Sequence, residues 1–161
     1  MDLTSDTDIL VILVAMIGNH QKEQAAVSYS KIIMDCGQAN SRRYIDVRAI
    51  HDKLESIQPG FSTALPGLHA FTGSDFTASF FHKGKKKALS MLQDDEDNGW
   101  IDAFNQLSQG SEANSSTFNN VESFTSALYG MWNCKDINVA RRRKLYLLAG
   151  WKNGINWTLK Q

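Results

Sequence analysis

Residues 67–92 read GLHAFTGSDFTASFFHKGKKKALSML. One carboxylate, Asp75, follows a glycine and a serine in an otherwise apolar run, and ten residues on three lysines lead into a helical pattern. Among Phe76, Phe80 and Phe81, Asp75 is either the cap of a turn that begins at Phe76 or a paired, functional group. Gly84 permits close backbone approach or a positive φ. A helix beginning near Lys85 would aim its N–H groups and dipole at an anion. Lys83, Lys85, Lys86 and Lys87 would add charge directed at phosphates. The competing reading is a solvated basic helix face, partly neutralised by DDED at 94–97.

Upstream, Asp6 and Asp8 stand as D-x-D before the apolar run Ile9–Ile17, which periodicity leaves open between a buried strand and a short buried helix. In an extended segment the two side chains share a face and could ligate one ion. Magnesium requires such hard oxygen donors. Ahead of a helix, the same acids would stabilise its N-terminus through the dipole. SKIIMDCG and RRYIDVRAI flank GQANS, which predicts a β-hairpin over about 31–48. AIHDKLESI predicts a helix stopped by Pro59 and Gly60. STALPGLHAFTG predicts a second helix, weakened by Pro66 and Gly67.

Downstream, Ala88, Leu89 and Leu92 line one face of a helix over 85–93, and Trp100, Ile101, Phe104 and Leu107 repeat the pattern. SQGSEANSS, residues 108–116, reads as a linker. Phe118, Val121, Phe124, Leu128 and Trp132 predict a long amphipathic helix, and Arg141–Trp151 another. The organisation expected is therefore 1–107, a linker at 108–116, and a helical extension over 117–161. His51 and His82 read as surface residues, His20 as part of a polar loop, and His69 as a helical residue beside apolar neighbours, with no zinc spacing among them. Arg141, Arg142, Arg143 and Lys144 read as a solvated helix face, with a nucleic-acid role as the sharper alternative.

The 161 residues suffice for one domain with a hydrophobic core. A 42% hydrophobic and 21% charged composition excludes wholesale disorder. Seventeen basic and seventeen acidic residues cancel, which excludes a strongly basic nucleic-acid binder as a whole chain but not a basic patch. Two distant cysteines, Cys36 and Cys134, form no metal or disulfide pattern and fit a reducing compartment. No run is long enough to span a bilayer, so no membrane partner and an intracellular, nuclear or cytoplasmic location are expected.

The order SDTDILVIL, LHAFTGSDFTASF, KGKKKALSML resembles the C-terminal half of the flap-endonuclease-like branch of PIN-domain nucleases. There a D-x-D pair is followed by Gly-[Cys/Ser]-Asp at a helix end, and a Gly-containing loop leads into a basic helix that grips duplex backbone. The likeness extends to animal proteins, many linked to mobile elements, that carry LHAxTGCDTTSxF followed by KGKxxAL. The resemblance implies a truncated PIN-like domain: helix-rich α/β, with a small N-terminal strand region and a helix–loop–helix element. It further implies Mg²⁺ or Mn²⁺ held by Asp6, Asp8 and Asp75, and nucleic acid, DNA before RNA, held by Lys83, Gly84, Lys85, Lys86 and Lys87. The family's upstream acids and first strands would precede residue 1. A metal-dependent nuclease impaired or inactive alone is therefore expected, one that a missing N-terminal half or a protein partner would complete. The alternatives are a non-catalytic nucleic-acid-binding module and a helical protein-interaction domain.

Overall fold

The structure, a computed structural model, describes residues 7–23, 31–37, 39–74, 77–80, 82–96, 99–110 and 112–148. In chain order they form α1 (Thr7–Glu23), β1 (Ile33–Cys36), a 3₁₀ turn (Ala39–Ser41) and β2 (Arg43–Asp46). Then come α2 (Val47–Ile57), α3 (Phe61–Phe71), α4 (Lys85–Gln93), α5 (Gly99–Ser108), α6 (Ser115–Leu128) and α7 (Ile137–Leu148). The fold is helix-rich α/β, with one two-stranded antiparallel sheet among the described residues. The chain divides into two compact units, 1–121 and 122–161, with the division inside α6. No described helix is long and apolar enough to cross a membrane.

The apolar run left open between strand and helix is the body of α1, and His20 lies in this helix rather than in a loop. Val14 and Ile17 are buried with Val47, and Leu10, Leu13, Ile50, Leu54 and Leu65 pack against them. The predicted hairpin is present, with Ile33 opposite Asp46 and Cys36 opposite Arg43. Arg42 forks onto the Asp35 carboxylate at 3.0 and 3.1 Å across its end. Asp46 then changes role within one residue: it ends β2, and its side chain accepts the Ala49 N–H at 3.0 Å to cap α2.

Helix α3 is the centre of the first unit and packs against α1, α2, α4 and α5. Pro66 and Gly67, read from sequence as weakening it, lie inside an intact helix. Their effect is close approach. A Cβ at Gly67 would fall 2.4 Å from the Phe104 carbonyl oxygen of α5. The Gly67 N–H donates to Ser108 Oγ at 2.8 Å, and that hydroxyl donates to the Phe104 carbonyl. Phe104, Phe61 and Leu68 are buried around this crossing, and Phe71 meets Phe104 with tilted rings 5.6 Å apart.

The start of α3 is held from α2. Glu55 accepts the Gly60 N–H at 2.8 Å, the Ser62 N–H at 3.0 Å and the Ser62 hydroxyl at 2.6 Å. One turn back, His51 is buried at 2% exposure rather than on the surface, because it lies between α1 and α3 opposite Gly18. Asp95, expected on a solvated acidic surface, is also buried. It accepts the Trp100 and Ile101 N–H groups at 2.8 and 3.0 Å and so caps α5.

The helix predicted over 118–132 stops at Leu128. The Gly130 N–H bonds to Ala127 and the Met131 N–H to Ser126, a Schellman end that leaves Trp132 outside the helix and 58% exposed. Helix α7 starts four residues before the predicted Arg141, because Asp136 accepts the Asn138 and Val139 N–H groups. The predicted end of that helix, Trp151, lies outside the described residues.

Two outcomes are expected. Gly67→Ala should destabilise by about 1–3 kcal/mol through overpacking against backbone that cannot yield, lowering Tm by ~3–10 °C in a thermal melt. For Glu55, burial pushes the carboxyl up, but the Ser62 hydroxyl and the Gly60 and Ser62 amides outweigh it and hold the group below its ordinary 4.5. A lowered carboxyl adds stability that is present above pH 4.5 and lost as pH falls through the folded value. Glu55→Gln should therefore be less stable at neutral pH and lose less stability between pH 6 and pH 3 than the wild type.

Candidate phosphate-facing site

Parts of three sequence features meet at one place: the start of α1, the last turn of α3, and the lysine start of α4. The contact is made by Asp8, His69 and Lys85. Asp8 Oδ1 bonds His69 Nε2, and the Lys85 ammonium lies 3.1 Å from both nitrogens of that ring. An ammonium can only donate, so it needs an unprotonated ring nitrogen. A neutral imidazole serves both partners, with Nε2–H donated to Asp8 and Nδ1 accepting from Lys85.

Each partner has a local reason for its position. Asp8 lies in the first turn of α1, where the helix dipole favours an anion. Asp8 itself is therefore helical rather than extended. Asp6 lies outside the described residues. His69 lies in the last turn of α3, with its side chain only 12% exposed against 33% for Asp8. Sequence reasoning passed over His69 because a histidine among apolar helical neighbours looks like core. Its place inside the LHAFTGSD block was the available signal.

Beyond α3 the chain turns tightly. Gly73 takes φ +109°, and a Cβ there would meet Ser79 at 2.7 Å, so no other residue fits without strain. The Ser74 N–H donates to Thr77 Oγ1 at 2.8 Å, and this hydroxyl also bonds the Ala70 carbonyl at 2.6 Å. Phe80 packs against Phe71 with ring centres 5.1 Å apart and planes tilted by 52°. Ser74 and Thr77 are thus tied to the end of α3 that carries His69. Asp75 and Phe76, between them, lie outside the described residues.

Helix α4 begins at Lys85, as predicted, with Gly84 as its N-cap. Gly84 has φ −80°, so of the two uses offered for it the positive φ is not the one taken, and nothing lies within 4 Å of a Cβ built there. The cap makes no side-chain hydrogen bond, and the first turn holds no acid. Lys85, Lys86 and Lys87 all occupy that turn and are exposed, whereas Lys83 is half-buried. Cations at a helix N-terminus oppose its dipole by about 0.3–1 kcal/mol each. The basic helix start is therefore locally unfavourable as it stands, and an anion placed there would reverse that.

The described donors fit one carboxylate ligand of a divalent ion and little more. Among the described residues no group of three or more His, Cys, Asp or Glu side chains is placed to hold a metal. Asp8 is shared with an imidazole, and a lysine stands beside it. A metal set would thus need Asp6 and Asp75. No family model, curated protein or solved structure matches the chain.

Lys86→Glu tests whether the α4 start is strained by its own charges. Placing an acid in the first turn should raise stability by about 1 kcal/mol, or ~2–4 °C in Tm. An unchanged or lower Tm would mean that the lysines are already compensated.

Proposed function

We infer that this chain is a nuclease-like phosphodiester-binding domain of the PIN-like, flap-endonuclease-related kind, impaired in catalysis on its own. The observation that carries the reading is the uncapped, three-lysine start of α4 beside Asp8 and His69. A place where a local rule such as the dipole rule is broken is where a functional or strained site is expected. A phosphate of a nucleic-acid backbone supplies the missing negative charge, with Lys85, Lys86 and Lys87 around it and the α4 amides behind it.

In this reading Asp8, with Asp6 and Asp75, holds Mg²⁺ or Mn²⁺. A bound divalent ion would supply the activation of water and the stabilisation of a leaving oxygen. His69 is a positioning residue: it fixes the Asp8 carboxylate from one side and the Lys85 ammonium from the other. The second reading, a binding module without catalysis, is favoured by one specific observation. Asp8 already carries the His69 contact, and its neighbour is a cation rather than a second acid.

Two measurements on the full chain separate these readings. Binding of fluorescein-labelled DNA should be salt-sensitive and should weaken at least about tenfold when Lys85, Lys86 and Lys87 are all changed to Gln. A melt with Mn²⁺ should show a rise in Tm that Asp75→Asn removes, because a ligand of the folded state stabilises it. DNA binding without the metal effect selects the second reading. Absence of both overturns the proposal.

A further inference from the structure

Helix α7 reads INVARRRKLYLL and contains no acid. Arg141, Arg142 and Arg143 are exposed, while Ala140 is fully buried and seats the helix. The neutrality of the whole chain hides a division. Residues 122–161 hold seven basic residues against two acidic ones, a net +5, and residues 1–121 hold ten against fifteen, a net −5.

The two acids of the second unit are both used at the start of α7. Glu122 Oε1 accepts the Ile137 N–H at 3.0 Å. Asp136 accepts the Asn138 and Val139 N–H groups at 2.7 and 3.1 Å. In the first unit Arg42 pairs with Asp35 and Arg48 with Asp52, while the exposed Arg43 has no ion pair among the described residues. Among the described residues, no carboxylate pairs with Arg141, Arg142, Arg143 or Lys144.

We propose that α7 is a second nucleic-acid contact, separate from the α4 lysines, in which Arg141, Arg142 and Arg143 bind backbone phosphates. Successive helical residues point about 100° apart, so the three guanidiniums diverge and do not close on one small anion. A linear polyanion presents a row of phosphates to such a fan, and the planar guanidinium matches each one bidentately. A membrane-surface helix separates its apolar and cationic faces. Here Leu145, 65% exposed, falls between Arg141 and Arg142 around the helix, so the arginines have no apolar face set apart from them.

The test is fluorescence anisotropy on the full chain with a fluorescein-labelled 20-base-pair DNA duplex between 50 and 200 mM KCl. Changing Arg141, Arg142 and Arg143 to Gln should weaken binding about tenfold or more and reduce the slope of log K against log salt by about 2–3. Arg→Lys at the same positions should restore the slope. If the triple Gln variant melts lower than the wild type, the single variant Arg142→Gln reads the same effect, a slope change of about 0.9. Affinity and slope unchanged in the Gln variants overturn the proposal, whatever the α4 lysine variant does. So does wild-type chain that binds phosphatidylserine vesicles but not the duplex. Loss on the arginine changes with no loss on the lysine changes keeps this contact and removes the α4 one.

Discussion

The first unit depends on how closely α3 and α5 approach at Gly67. With its N–H on Ser108 and no side chain to separate it from the Phe104 carbonyl, the two backbones nearly touch. This lets a short, eleven-residue helix be surrounded: α1 and α2 on their sides, α5 across the glycine, α4 beyond its end. A larger residue would move α5 outward and change the angle at which α3 presents its last turn. That last turn carries His69, so the packing constraint and the site geometry are the same constraint seen at two ends of one helix.

Holding α3 and α5 in place also takes carboxylates that the sequence did not single out. Glu55 and Asp95 each spend a carboxylate on the backbone N–H groups of a helix start, and each does so from outside the helix it caps. Such caps settle four orphan donors that a buried helix end cannot leave unpaired. They also account for carboxylates that a scan for catalytic acids would otherwise collect.

The hairpin, the helical character after Ile50 and the start of α4 at Lys85 were legible, because turn residues and apolar spacing both act over a few residues. The nature of α1 was not. Ile9, Ile12 and Met16 are apolar although exposed, so the run is hydrophobic on both faces and its period is masked. The burial of His51 was not legible either, since it follows from Gly18 on a different helix. In the site, the lysines were found by their run and Asp8 by its spacing. The contact through His69 was missed because it joins positions 8, 69 and 85, and no local pattern encodes a meeting of three helix ends.

Charge gives a further reason why whole-chain quantities mislead here. A near-neutral isoelectric point argues against a nucleic-acid protein only if charge is evenly mixed. In this chain it is sorted twice. Between the units, the acids concentrate before residue 122, and the α7 arginines, which pair with no carboxylate among the described residues, lie after it. Within the first unit, three lysines crowd the one helix end where physics disfavours them, while the neighbouring start of α1 takes the acid that physics favours. Solubility needs neither arrangement, since the same residues dispersed over the surface would serve it equally. Segregation that raises the local electrostatic energy is maintained most simply by a partner of opposite sign.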